Sequence, residues 1–238
     1  MRRRFFVQKF DHGQATIEDE AAHHLGRVLR AQPGQLYELS DGSSVWLGRI
    51  ETVTRDRVDF ALIEKLPSYV PSLQTTLLLA VVKFDAFEWA LEKATELGAS
   101  RILPLAASRS EKALLSAAPK RAERWKKILL EASQQSRRLQ VPRLEALAQP
   151  ETAFHANNQG FCVLLSESLD AMPLRDLLSG TPSSAVLAVG PEGGWTDAEF
   201  AAARSAAFQE ASLGRLILRT ETAVVASLAA INFALSTE

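Results

Sequence analysis

Ser184-Ala185-Val186-Leu187-Ala188-Val189 runs directly into Gly190-Pro191-Glu192-Gly193-Gly194-Trp195, and the order of these two stretches decides the fold. The first six residues are apolar and do not alternate with polar ones, which predicts a strand covered on both faces, as in a parallel α/β sheet. The glycine-rich turn follows at the strand's C-terminal end, where ligands of such sheets bind. Three glycines within residues 190–194 let the backbone approach a ligand and leave N–H donors unpaired, while Pro191 stiffens the bend. Thr196-Asp197-Ala198-Glu199 then reads as a capping box that starts a helix at once. Neither a dinucleotide fingerprint nor a Walker loop can be read through the turn, so a phosphate cradle is a poor reading.

A second bend, Leu213-Gly214-Arg215-Leu216-Ile217-Leu218-Arg219-Thr220-Glu221-Thr222, precedes an apolar stretch from Ala223 to Ile231. Arg219, Glu221 and the two threonine hydroxyls stand against an element with almost no polar face. Polar groups so placed have partners.

Outward from these bends, residues 75–82, 101–105, 161–166, 184–189 and 211–214 read as strands. Helical patterns at 84–97, 121–138, 171–179, 198–207 and 223–235 complete a parallel sheet with helical cover. Upstream, residues 1–70 form a smaller β-rich unit, with strands at 5–7, 35–39, 45–50 and 57–63 separated by turns such as Gln32-Pro33-Gly34 and Ser40-Asp41-Gly42. One helix over 19–30 interrupts it, with Ala22, Leu25, Val28 and Leu29 inward and Arg27 and Arg30 projecting. Residues 67–72, with two prolines, are the linker, so the domains are 1–70 and 71–238.

A chain of 238 residues, 47% hydrophobic and 23% charged, belongs to the globular class. No apolar run is long enough to cross a bilayer, and Met1-Arg2-Arg3-Arg4-Phe5-Phe6 does not read as a secretory signal, so a cytoplasmic location is expected. The single cysteine, Cys162, lies in an apolar run and reads as a buried strand residue. No metal site is visible. A net charge of −1 excludes a protein that coats nucleic acid through its overall field. Any RNA contact must come from local clusters: Arg2 to Arg4, Arg27 with Arg30, and the basic face of helix 121–138. Taken singly, each cluster also reads as a solvated surface.

The turn Gly190-Pro191-Glu192-Gly193-Gly194 and the later Ile217-Leu218-Arg219-Thr220-Glu221-Thr222-Ala223 resemble the 16S ribosomal RNA uridine-N3 methyltransferases of the knotted SPOUT superfamily. His23-His24-Leu25, Arg27-Val28-Leu29-Arg30, Glu92 to Gly98, Arg124-Trp125, Gln135-Ser136, Arg138 and Pro142 extend the likeness over nearly the whole chain. The resemblance implies a SPOUT parallel-sheet domain with a C-terminal trefoil knot, preceded by a small PUA-like β-barrel that holds RNA. It implies S-adenosylmethionine as cofactor, bound by Leu187, Val189, Gly190, Pro191, Glu192, Gly193, Gly194, Leu213, Gly214, Ile217, Leu218 and Thr222. Catalysis falls to Arg219 and Glu221, and contact with 16S ribosomal RNA to Arg4, His24, Arg27, Arg30, Gln135, Ser136 and Arg138. The expected partner is this RNA, in the assembled small subunit or free, and a homodimer is expected from the apolar helix 223–235.

Two positions depart from the family pattern: Lys83-Phe84-Asp85 replaces a glycine or small polar residue, and Arg137 a glycine. Other readings stay open. The chain could be a ribose 2′-O-methyltransferase of the same superfamily or a non-catalytic RNA-binding protein. Arg219 and Glu221 could form a structural ion pair. His23 and His24 could be surface or cap histidines.

Overall fold

In the computed structural model, residues 3–168, 170–180 and 182–236 are described. Arg2 of the N-terminal basic cluster lies outside them. The chain forms two units. One comprises the residues up to Val70 together with Ser133–Val141, the other Pro71–Ala132 together with the chain from Pro142 onward.

In the first unit, β1 (Arg4–Phe6), β2 (Gln14–Glu18), β3 (Leu36–Ser40), β4 (Val45–Val53) and β5 (Arg57–Leu66) form one sheet in the order β1-β3-β4-β5-β2. β1 and β3 are parallel and the other pairs antiparallel. Register shifts at Leu47/Gly48 and Ile50/Thr52 in β4 increase the twist and curl the sheet. Phe5, Ile17, Leu25, Leu39, Ile50, Val58 and Phe60 fill its core. β2 was not foreseen, because Gln14-Ala15-Thr16-Ile17-Glu18 carries only two apolar side chains.

The helix expected over 19–30 is shorter and changes character. α1 (Asp19–His23) gives way to a π-helical turn, His24–Val28. Ala22 and Leu25 are buried as expected, but Val28 is 63% exposed. The wider turn rotates Val28 off the inward face, while Leu29 still packs against the core from a half-buried position.

In the second unit, β6 (Gln74–Ala80), β7 (Arg101–Leu105), β8 (Arg143–Leu144), β9 (Phe161–Leu165), β10 (Met172–Pro173), β11 (Ser184–Val189) and β12 (Gln209–Ser212) form a sheet in the order β10-β12-β9-β11-β6-β7-β8. Every pairing is parallel. β11 lies between β9 and β6 with Ala185 to Val189 buried, which is why its sequence shows no alternation. Cys162 is buried in β9.

The helices are α2 (Phe84–Glu96), α3 (Lys112–Gln135), α4 (Pro150–Ala156), α5 (Leu174–Leu177), α6 (Asp197–Ser205) and α7 (Thr220–Leu235). α2 buries Phe87, Ala90, Leu91 and Ala94, while Lys93 on its other side pairs with Glu92 and Glu96. α3 begins nine residues before the expected start at 121 and carries Pro119 inside it. The proline lacks a donor for the carbonyl four residues back, and its exposed position tolerates that loss. α5 is one turn instead of a helix over 171–179. Pro173 marks its start, and the chain leaves helical geometry at Leu178. β12 starts two residues before the expected 211, because Ala207 takes φ 62° and ends the turn after α6 early. Among the described residues no helix is long and apolar enough to cross a membrane, and no His, Cys, Asp and Glu cluster can hold a metal.

Candidate active site

The parallel sheet brings several strand ends to one edge, and the loops leaving β7, β9, β11 and β12 meet there. They enclose a cavity of about 250 Å³. Val189 to Glu192, Gly194 and Trp195 line one side, and Leu213 to Leu218 the other. The two bends singled out in the sequence therefore face each other, and the space between them is open. Thr220 Oγ1 donates to the Gly190 carbonyl at 3.0 Å and ties the second bend to the first.

The first bend is held from three directions. Gly194 N donates to the Pro191 carbonyl at 2.8 Å, and Gly194 takes φ 71°, a left-handed conformation that a residue with a Cβ adopts at a cost. Trp195 is buried, and its Nε1 donates to the Leu165 carbonyl at 3.0 Å, joining the turn to the end of β9. Arg109 Nη1 donates to the Gly193 carbonyl at 2.6 Å. The capping box forms as read: Glu199 N donates to Thr196 Oγ1, and Thr196 N to Glu199 Oε2. Glu199 does more than cap. Its other oxygen accepts from Ser108 N at 2.8 Å, so one buried carboxylate fixes both the start of α6 and the loop that carries Arg109.

Of the residues expected to hold a cofactor, Val189, Gly190, Pro191, Glu192, Gly194, Leu213, Gly214, Ile217 and Leu218 line this cavity. Leu187 is buried inside β11, Thr222 is exposed on α7, and Gly193 lines a neighbouring cavity instead. Arg219 is the exposed N-cap of α7 and Glu221 follows in its first turn. Neither lines the cavity. No ion pair joins them among the described residues, so the structural-pair reading does not describe this site.

Sequence reasoning missed Arg109 and the loop Leu165 to Ser168, both at the cavity wall. The rule that located the glycine turn applied equally to the ends of β7 and β9. What obscured them was the lack of glycines there. Glu167 and Glu192 make the lining acidic in places, a surrounding that suits a cationic ligand group.

Four of the seven expected RNA contacts lie close together in the first unit. Arg4 Nε and Nη2 both donate to Glu38 Oε2, at 3.1 and 2.9 Å, and its Nη1 donates to the Arg137 carbonyl. Both members of this pair are 8% exposed. Arg4 is thus no surface contact, since its donors are engaged internally; it holds the turn that bears Gln135, Ser136 and Arg138. Ser40 Oγ and Gln140 Nε2 complete the attachment, donating to the carbonyls of Leu139 at 2.8 Å and Gly42 at 2.7 Å. Gln135 is exposed, and Ser136 and Arg138 are half-buried. Burial pulls the Arg138 guanidinium down to about 10. Arg137 takes φ 56°, so the position where the family has glycine keeps a glycine-like backbone. His24 opens the π-helical turn, half-buried, and Arg27 and Arg30 are exposed.

A family model for an RNA methyltransferase domain matches residues 70–232, and one for an RNA methyltransferase PUA domain matches residues 17–63. Ribosomal RNA small subunit methyltransferase E of Synechocystis is 34% identical over 230 residues, 91% of this chain and 72% of that protein. The protein of the same name from Bacillus subtilis is 31% identical, covering 92% and 89%. The crystal structure of ribosomal RNA small subunit methyltransferase E from Neisseria gonorrhoeae bound to S-adenosyl methionine superposes with a TM-score of 0.89 at 29% identity, over 99% of both chains. Sequence likeness along the chain and a shared backbone agree, and the chain belongs to the ribosomal RNA small subunit methyltransferase E family.

Proposed function

We propose that this protein transfers a methyl group from S-adenosylmethionine to N3 of a uridine in small-subunit ribosomal RNA. The observation that carries the reading is the meeting of the two bends around one cavity at the C-terminal edge of the parallel sheet. The lining fits the cofactor chemically. Backbone groups of residues 190–192, 194 and 213–218 suit a neutral adenine and ribose, and the carboxylates of Glu167 and Glu192, which share the lining with Arg109 and Arg215, suit a sulfonium. Bound there, S-adenosylmethionine supplies an electrophilic methyl carbon.

The chain's own task begins with alignment, because an in-line displacement requires the nucleophile, carbon and leaving group on one axis. The second task concerns charge. N3 of uridine carries a proton and is a poor nucleophile, so a group must remove it and another must stabilise the anion shared with O2 and O4. We assign the second role to Arg219, exposed at the start of α7 beside cavity-lining Thr220, and the first to Glu221 or a water. RNA is held by His24, Arg27, Arg30, Gln135, Ser136 and Arg138, with Arg4 positioning the last three. This divides the labour between the β-rich residues 1–70 and the methyltransferase residues 71–238, with residues 133–141 serving the RNA-holding side. The reading includes a trefoil knot at the cofactor loops, a homodimer, and a cytoplasmic enzyme acting on the assembled subunit.

The test is to incubate the protein with small ribosomal subunits lacking the modification and a labelled methyl donor, then identify the labelled nucleoside by mass spectrometry. N3-methyluridine is expected. Label recovered as 2′-O-methyluridine would move the protein to the ribose-modifying branch of the superfamily, and no label would leave an RNA-binding protein without catalysis.

A further inference from the structure

Beside the cavity assigned to the cofactor lies a second one of about 330 Å³, lined by residues 81–83, 109–111, Leu114, Glu192 and Gly193. Arg109 and Glu192 belong to both, so the two spaces share a wall. Two helices begin at its lining. Lys83 is the N-cap of α2, a terminus that no side chain caps, and Glu111 directly precedes α3, its carbonyl accepting from Leu115 N. The first N–H groups of a helix carry partial positive charge and attract anions. Lys83 and Arg109 add two full positive charges to the same lining.

Ser110 supplies an independent sign. It is 8% exposed and its backbone N–H is engaged by the Ala107 carbonyl, but its buried hydroxyl has no hydrogen-bond partner among the described residues. A buried hydroxyl without a partner is costly and calls for a physical reason, of which a bound ligand is one. The lining is not uniformly basic, since Glu111 and Glu192 contribute carboxylates. A simple anion would be repelled by them. A ribonucleotide would not, because its phosphate meets the cations and helix starts while its ribose hydroxyls donate to carboxylates.

We infer that this second cavity is the subsite for the methyl-accepting ribonucleotide, with Lys83 and Ser110 as binding residues for its phosphate. The inference rests on the methyltransferase reading above and adds where the acceptor sits. It also gives a role to Lys83, the N-cap of α2.

The test compares wild type, Lys83→Ala and Ser110→Ala, using unmodified small subunits for kinetics and calorimetry for S-adenosylmethionine. Both variants are expected to bind the cofactor within twofold of wild type and to lose about tenfold in kcat/KM for subunits, through KM. Lys83→Ala should also flatten the log–log salt dependence of subunit binding by about one. Ser110→Ala should keep or raise the melting temperature, because removing an unpartnered hydroxyl relieves a cost. Wild-type KM and salt dependence in both variants, with wild type active, overturns the subsite and leaves the methyltransferase reading intact. A wild-type protein that binds S-adenosylmethionine but methylates nothing overturns both.

Discussion

A methyl group placed on Gly193 would lie 3.2 Å from Arg109 Cβ, so the turn and the arginine side chain are packed against each other without spare room. Gly193→Val therefore pushes on the Arg109 side chain, which lines both cavities, and strains its bond to the Gly193 carbonyl. The expected result is S-adenosylmethionine affinity weakened by tenfold or more in calorimetry with little change in melting temperature; unchanged affinity would separate this turn from the cofactor. Arg4 and Glu38 are a different kind of pair. Buried together, they gain little against an apolar replacement, but removing Arg4 leaves the buried Glu38 carboxylate with only the looser, more exposed Arg137 guanidinium at 3.5 Å. Arg4→Ala should destabilise the first unit by about 3 kcal/mol in urea unfolding. It should also weaken RNA binding, because the Arg137 carbonyl loses its anchor.

At the scale of elements, the short α6 positions more than its length suggests. Glu199 accepts from Thr196 N, Thr196 Oγ1 and Ser108 N, so one side chain fixes the helix start and the Arg109 loop. Glu199→Ala should cost about 2–3 kcal/mol, the sum of a lost cap and an orphaned amide. Thr196→Ala, which spares the Ser108 bond, should cost about 1 kcal/mol. Equal losses in the two variants would show that the bond to Ser108 contributes nothing. α7 presents Arg219 and Glu221 from its first turn, unpaired with each other. With saturating cofactor, Arg219→Ala and Glu221→Gln should each lower the single-turnover rate about a hundredfold. Rates near wild type in both would remove them from the chemistry and leave Arg109 and Glu192, which do line the cavity, to be tested next.

For the whole molecule, the proposed dimer has a direct readout. Phe233 on α7 is 93% exposed and Ile217 79%, large apolar groups left in water by a single chain. Light scattering at micromolar concentration should give twice the chain mass of 26.1 kDa, and Phe233→Glu should shift it towards the monomer. A monomer mass for the wild type would end the proposal.

What the sequence determined by itself is whatever depends on neighbours along the chain. An unalternating apolar run read as a buried parallel strand, and β11 is one; Thr196 and Glu199 read as a capping box, and they form it. Periodicity placed a helix at 84–97, where α2 lies; glycine content marked the first bend, and a polar cluster before an apolar stretch marked the second. The tertiary structure decided what depends on residues far apart. Burial of Arg4 requires Glu38 and Arg137, 34 and 133 positions away, which no local pattern connects. The π-helical turn that exposes Val28, the early start of α3, and the gathering of Arg109 and Glu167 at the cavity wall were equally invisible. Local propensity sets which segments are helix or strand. Which loops meet at a sheet edge is set by strand order, and parallel strands take their neighbours from across the chain through long crossovers.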